Sequence, residues 1–145
     1  MPLSADNVFI GIYRRLNEDP TLQGAAYLGG TGHVHLTSIR PDGAPLPAVG
    51  LDFRAIEFFD EQKGMGVWLL RSILYTAKMS NNEPDSTRAQ LIRERETALL
   101  EDADFFATGG ERITIKKITP DSSARLDPSA RDEHFWISQY EVMAG

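Results

Sequence analysis

Cysteine is absent from the 145 residues of the chain, which excludes disulfide bonds, thiolate metal sites and cysteine nucleophiles. No apolar run approaches the roughly 20 residues that a membrane-spanning helix needs. The first residues also lack the basic stretch followed by an apolar one that marks a secretory signal. We therefore expect no membrane contact, and a protein that acts inside the cell or in an assembly made there.

Positive charge is also scarce. Fifteen Lys and Arg residues stand against 21 Asp and Glu residues, which gives a net charge of −6. Such a surface repels phosphate, so we expect no tight binding of nucleic acid, although DNA could pass close by. The 41% of hydrophobic residues suits one core. The length predicts that residues 1–145 form a single domain.

The spacing of apolar residues predicts a first helix. Residues 8–16 carry apolar side chains one, three and four positions apart. Asp19 before Pro20 ends this helix, because the residue before a proline resists helical geometry. Ser4 and Asp6 are its candidate caps.

A second helix is predicted in the later half of the chain. It begins at a cap formed by Asp85 or Ser86 and fades near Asp102. Its predicted buried stripe consists of Leu91, Ile92, Arg95, Ala98 and Leu99. Three charged residues are predicted to face water, namely Arg93, Glu94 and Glu96. Phe105 and Phe106, which follow the helix, are expected to fold back onto the core.

Five stretches have the character of strands. The third stretch, Val67–Lys78, is apolar on both faces at its start, which is typical of a strand in the middle of a sheet. In the second stretch, Pro47–Phe59, the alternation of apolar and polar residues changes parity, which predicts a bulge near Ala55. The predicted strands are His33–Ser38, Pro47–Phe59, Val67–Lys78, Arg112–Thr119 and His134–Met143. The prediction is an α+β fold in the order α-β-β-β-α-β-β, with a mostly antiparallel sheet of about five strands and two helices packed on one face.

An enzymatic function would depend on the histidines. His33 and His35 lie two positions apart on a predicted strand, so both rings would point to one side and could share a metal ion. Zinc needs a third protein ligand, for which His134 is the candidate. That residue opens the last strand, and nothing in the sequence fixes it near the other two. The favoured interpretation is a strand start with two partly exposed histidines.

Other catalytic and cofactor motifs are incomplete. The glycine-rich stretch at 29–32 lacks the Lys-Ser/Thr ending of a phosphate loop, and a strand rather than a helix follows it. No serine stands in a Gly-x-Ser-x-Gly elbow. Acidic pairs such as Asp102 and Asp104 are interpreted as solvated charges, and the basic stretch Ile115–Lys117 as the wet edge of a sheet. None of these motifs therefore predicts a cofactor site or a catalytic residue.

Three loops are long for a chain of this size: Thr21–Gly32, Met79–Asp85 and Pro120–Asp132. Long polar loops around a small sheet are typical of surfaces that contact other proteins. The candidate assembly-interface residues lie in the two polar loops and in the turn at 40–45. They are Arg40, Asp42, Asn81, Asn82, Ser122, Arg125, Asp127 and Arg131.

Three stretches, taken in order, carry a resemblance to a known family. A short amphipathic helix ends in "LNEDPTLQG", a later strand begins with "LPAVGLDF", and the chain closes on a strand ending in "FWISQYEVMAG". This order resembles that of the tail terminator, or tail completion, proteins of long-tailed bacteriophages. The resemblance spans nearly the whole chain. The chain departs from the family pattern in a longer third strand and in the extended Pro120–Asp132 loop.

The resemblance implies a non-enzymatic protein of the virion, with no catalytic residues and no cofactor. Members of the family form a six-membered ring on the finished tail tube, stop its growth and present a surface to the head connector. For this chain the resemblance implies a homo-hexamer in the tail or neck of the virion, assembled in the host cytoplasm. Its partners would be the tail tube protein and the head–tail connector or neck protein, with the sheath as a further one. The acidic charge agrees with a lumen through which DNA passes without specific binding.

Two other functions stay open on the sequence alone. One is a small metal-dependent enzyme that uses His33, His35 and His134. The other is a different neck or tail-completion protein, or a monomeric binding domain that takes a peptide or protein at a sheet edge.

Overall fold

The computed structural model describes residues 5–37, 41, 43–60, 65–77, 85–107, 109–118, 125–126 and 133–145. In chain order the elements are α1 (Ala5–Asn17), β1 (Val34–His35), β2 (Ala48–Asp60), β3 (Met65–Ala77), α2 (Ser86–Leu100), β4 (Ile113–Lys117), β5 (Arg125–Leu126) and β6 (Glu133–Ala144). The predicted α+β class and order of elements are confirmed. β5 is an additional short strand inside the predicted Pro120–Asp132 loop.

The strands form one sheet in the order β1-β2-β3-β6-β4, and β5 also pairs with β6. β1 and β2 run parallel, whereas the other pairs are antiparallel. β3 therefore lies in the middle, as its apolar character predicts. A register shift between Ala55 and Glu57 confirms the bulge in β2. β1 comprises only Val34–His35 of the predicted His33–Ser38 and pairs with Val49 and Gly50; Ser38 lies outside the described residues.

The apolar stripe of α1 faces the sheet, as its spacing predicts. Val8 and Ile12 have no exposed surface, and Leu16 is only 1% exposed. Phe9 extends the contact, because its ring stacks on that of Phe53 in β2 with the centroids 5.0 Å apart. Since the removal of apolar area from water is worth about 25 cal/mol per Å², burial of this stripe holds the helix against the sheet.

The beginnings of the two helices bear on the predicted caps. Asp85 is the N-cap of α2, and its side chain accepts a hydrogen bond from the backbone N–H of Arg88 at 3.1 Å, as predicted. Ser4 lies outside the described residues. Asp6 is not the N-cap as predicted, because α1 already begins at Ala5; it lies in the first turn, where the helix dipole favours a carboxylate. Neither described helix is long and apolar enough to cross a membrane.

The buried face of α2 differs from the prediction. Its buried residues are Ala89, Ile92, Arg93, Glu96 and Leu100, whereas Ala98 of the predicted stripe is exposed. The buried residues still recur at helical spacing, but two of them are charged. The prediction that Arg93 and Glu96 face water is therefore wrong. Charged residues are almost never fully buried unless they find partners, and here the sheet provides them.

Polar groups of the sheet explain the burial of Arg93. Its guanidinium donates to the hydroxyl of Ser72 at 2.8 Å, to the carbonyl oxygen of Ser72 at 3.0 Å and to the carbonyl oxygen of Trp136. Glu96 accepts another hydrogen bond from Arg93 at 2.5 Å and balances its charge. A buried charge is tolerated when it is paired and hydrogen-bonded, so these contacts fix α2 over β3 and β6.

The core lies between the helices and one face of the sheet. Trp68, Leu70 and Leu74 of β3 and Tyr140 of β6 are at most 1% exposed. On each of β2, β3 and β6, the members of the core cluster occupy alternate positions, so they all point to the same side. The hydroxyl of Tyr140 also lies 3.0 Å from that of Thr97 in α2. These contacts confirm that the helices pack on one face.

The segment after α2 is only partly as predicted. Phe105 is 2% exposed and belongs to the core, but Phe106 is 50% exposed. The chain is extended here, since Phe106 forms a bridge with Arg112. Consecutive side chains of an extended chain point to opposite sides, so only one of the two rings can reach the core.

Candidate assembly surface

The structure describes one of the eight predicted interface residues. Seven of the eight, namely Arg40, Asp42, Asn81, Asn82, Ser122, Asp127 and Arg131, lie outside the described residues. The eighth, Arg125, is in β5, where its backbone pairs with Phe135 at the edge of β6. The role of these eight residues in assembly therefore stays a prediction.

The glycine-rich stretch before β1 is a turn, as predicted. Gly29, Gly30 and Gly32 have positive φ angles of 87°, 151° and 80°. Residues with a side chain rarely adopt such angles, so the backbone itself requires glycine here. The conformation of the turn accounts for these glycines without a phosphate ligand.

The three histidines do not come together. The prediction of a partly exposed ring is wrong for His33, which is only 8% exposed. Its Nδ1 lies 2.7 Å from the carbonyl oxygen of Pro47, which ties it to the start of β2. His35 lies in β1 and His134 in β6, with β2 and β3 between them. Three strand spacings amount to about 14 Å, far beyond the reach of ligands that bind zinc at about 2 Å. The described residues contain no cluster of three metal-ligating side chains.

The side of the sheet opposite the helices carries a second set of side chains, several of which are exposed. The register places its side chains in rows across the strands, for example Asp52, Arg71 and Gln139. We call this surface the open face. The side chains that the register places there include Asp52, Arg54, Leu69, Arg71, Ile73, Tyr75, Thr114, Lys116, Ile118, Phe135, Ile137, Gln139, Glu141 and Met143. None of them belongs to the core cluster under the helices.

The charged residues of the open face occupy two neighbouring rows. In one row, Arg71 donates to Asp52 at 3.0 Å, and both side chains are more than 40% exposed. The next row contains Arg54, Glu141 and Lys116. A shallow depression of about 120 Å³ lies around the Asp52–Arg71 pair. Because exposed ion pairs contribute at most about 1 kcal/mol, these charges are better suited to recognition than to stability.

The other half of the open face is apolar or aromatic. Ile73 and Ile137 lie opposite each other in the register, and the rings of Tyr75 and Phe135 are 6.4 Å apart. Met143 is 41% exposed. Tyr75 is only 7% exposed, so the apolar side chains that remain accessible on this half are the partly exposed ones around it and Met143.

One edge of the sheet is partly closed by the chain itself. On β4, the backbone N–H of Ile113 donates to the carbonyl oxygen of Phe105 at 2.9 Å. The backbone N–H of Lys117 donates to the Glu101 carboxylate, also at 2.9 Å. β4 is an edge strand, as its basic residues predict, and these bonds occupy groups that would otherwise pair with another strand. The open face is therefore a stronger candidate for assembly than this edge.

The sequence prediction did not single out the open face. One signal was available: β3 is apolar on both faces although helices cover only one. A sheet that is apolar on both faces needs a layer on each, since an element must bury its apolar face against another. The charged rows gave no signal, because Asp52, Arg71 and Lys116 come together only through the register of four strands.

Neither a family model nor a curated protein matches the chain. Solved structures of similar fold do match the chain. A chain of the "Virion of native gene transfer agent (GTA) particle" superposes with a TM-score of 0.71 at 19% identity, over 97% of this chain and 96% of its own. A second structure, whose name describes no function, superposes with a TM-score of 0.58 at 10% identity, over 98% and 96%. The chain thus shares its fold, from end to end, with a component of a virion-like particle.

Proposed function

We propose that the protein is a structural component of a phage-like virion. The observation that carries this proposal is the likeness over nearly the full length to a chain of a gene transfer agent virion, with a TM-score of 0.71. A likeness that leaves out almost no part of either chain indicates equivalent whole domains rather than a shared motif. Fold alone does not fix function, so the proposal also draws on the surfaces of this chain.

Within the virion, the proposed role is that of a tail terminator. Copies of the chain form a hexameric ring that caps the tail tube and joins it to the head–neck connector. The sequence resemblance to tail terminators supports this role, as does an open face whose mixture of apolar and charged groups suits a protein partner. The acidic net charge of −6 suits a lumen that lets DNA pass without binding it.

The metal-enzyme alternative loses its main support. It required His134 to complete a site with His33 and His35, and the sheet order separates it from them by two strands. The proposed function therefore includes no metal and no cofactor.

Addition of the purified protein to tail tubes tests the proposed function. We expect rings at one end of the tubes in electron micrographs and no further tube growth when more tube protein is supplied. A variant with Ser122, Asp127 and Arg131 changed to alanine leaves β5 and its pairing with β6 in place, and it should cap tubes less well if this part of the chain contacts the tube or the connector. Tubes that continue to grow in the presence of a saturating amount of the intact protein would rule out the terminator role.

A further inference from the structure

Exposed apolar side chains gather around β4, on the side of the sheet opposite the helices. Phe106 is 50% exposed, Ile118 48% and Met143 41%. The part of the chain that the structure describes has two further large apolar side chains that are exposed, Ile10 and Leu36, and these lie elsewhere. A single exposed apolar residue needs no explanation, whereas a group of them indicates a contact with another molecule.

Backbone pairing places the three exposed side chains on one face. Phe106 forms a bridge with Arg112, and the side chains of paired residues point to the same side of a sheet. Two positions further along, Thr114 pairs with Met143 in β6. The backbone N–H of Ile118 also donates to β6, so the ladder continues to this residue. Alternate positions of the strand, from 112 to 118, therefore point away from the helices.

Two basic side chains border these apolar ones. The guanidinium of Arg112 lies over the ring of Phe106, with its central carbon 5.0 Å from the ring centroid. Arg112 also donates to the carbonyl oxygen of Ala103 at 2.9 Å, which helps to hold it against the ring. Lys116 is exposed on the same face, and Glu141 lies opposite it in the register. We call this surface the β4 patch, which consists of Phe106, Arg112, Thr114, Lys116, Ile118 and Met143.

The β4 patch has the size and composition of the centre of a protein interface. It extends over six residues of rise and two strand spacings, which correspond to roughly 20 Å by 10 Å. This is about a quarter of the 800 Å² that one partner buries in a specific interface. Aromatic residues, Met and Arg are enriched at such contacts, and a few central residues provide most of the binding energy.

We propose that the β4 patch docks a different protein of the virion, through a segment that carries apolar side chains next to carboxylates. The exposed apolar residues need an apolar counterpart, and Arg112 and Lys116 favour acidic groups beside it. Nucleic acid fits less well, because it offers many phosphates to only two cations. The inference rests on the proposed place of the chain in a virion, but not on the terminator role.

Two pairs of matched variants test the patch. Phe106→Ser removes an apolar side chain from it, and Leu36→Ser removes one of nearly equal exposure, 48%, outside it. Lys116→Glu and Arg14→Glu make the same change of charge at exposed positions inside and outside the patch. Each variant competes with an equal amount of parent chain for places in particles, and quantitative mass spectrometry counts both. We expect about tenfold less incorporation for the two patch variants and parental levels for the two controls. Urea unfolding should show all four to be as stable as the parent to within about 1 kcal/mol.

Photo-cross-linking identifies the occupant of the patch. A photoreactive amino acid at position 106 should cross-link, in purified particles, to a segment of another protein that contains both apolar residues and carboxylates. The same group at position 14 should not react with that segment. Sedimentation with vesicles of phosphatidylcholine and phosphatidylserine tests the membrane alternative, since apolar and basic groups also bind anionic lipid. We expect no binding to these vesicles.

The outcomes separate this inference from the proposed function. Normal incorporation of Phe106→Ser, or a cross-link from position 106 to a second copy of the chain, overturns the inference and leaves the virion role intact. Vesicle binding that disappears in Phe106→Ser also overturns it. A cross-link to another virion protein supports it even if the chain fails to cap tubes. Absence of the parent chain from particles overturns both.

Discussion

Arg95 of α2 binds both carboxylate oxygens of Asp19, at 2.8 and 2.9 Å, across 76 residues of chain. Asp19 is buried at the end of the turn after α1, and it also accepts a hydrogen bond from the backbone N–H of Leu22 at 3.0 Å. The pair therefore joins the two helices that cover the sheet. A bidentate contact of this kind holds its partners in one geometry.

The first prediction concerns the stability of this link and its dependence on pH. The hydrogen bond from Arg95 holds the pKa of Asp19 below its usual value, against the opposing effect of burial. Since the folded-state pKa is the lower one, the carboxylate stabilises the fold above the unfolded pKa of about 3.9. That contribution disappears as the pH falls through the folded pKa.

Asp19→Asn should therefore cost about 2 kcal/mol of unfolding free energy at pH 7. The difference from the parent should shrink below about pH 4, where the parent carboxylate also begins to take up a proton. Urea unfolding at a series of pH values measures both effects. Glu94→Gln, at an exposed position of α2, serves as the control and should be nearly neutral throughout. A difference that stays constant down to pH 2 would contradict this assignment.

The second prediction concerns the buried pair of α2. Arg93→Ala should cost about 3–5 kcal/mol, because it leaves the Glu96 carboxylate buried without its cation. The double change Arg93→Met with Glu96→Leu should cost much less, since it removes both charges together. Oε1 of Glu96 has no hydrogen-bond partner among the described residues, which also favours this apolar replacement. Chemical unfolding of both variants tests the prediction, and a double variant less stable than Arg93→Ala would refute it.

The third prediction concerns the cap of α2. Asp85→Ala should cost about 1 kcal/mol, because the backbone N–H of Arg88 loses its acceptor. Asp85→Ser should retain most of the stability, since serine can accept the same hydrogen bond. Thermal unfolding of the two variants separates capping from a general effect of the lost charge. Equal losses in both would show that the charge, rather than the cap, matters.

The fourth prediction concerns zinc. Neither the wild-type protein nor the His35→Ala variant should bind zinc in a titration followed with a coloured competing chelator. The reason is the distance of about 14 Å that the strand order places between His35 and His134. Stoichiometric binding to the parent that disappears in the variant would revive the metal site.

The sequence predicted the features that depend on local pattern. The stripe of α1 and the central place of β3 follow from the periodicity of apolar residues, and the cap at Asp85 from side-chain chemistry. The burial of Arg93 and Glu96 was missed, because their partner Ser72 lies 21 residues earlier and faces them only in the folded sheet. The open face was missed for the same reason, since its rows exist only once the register between strands is set.

Native mass spectrometry of the purified protein, over a concentration series and without chelator, tests the proposed ring most directly. It reports the number of copies and any bound metal in one spectrum, and the same samples can be repeated with tail tubes added. We expect a metal-free hexamer, present in solution or recruited on the tubes. A chain that stays monomeric at every concentration and does not bind tubes, or a monomer that carries one zinc ion, would contradict the proposal.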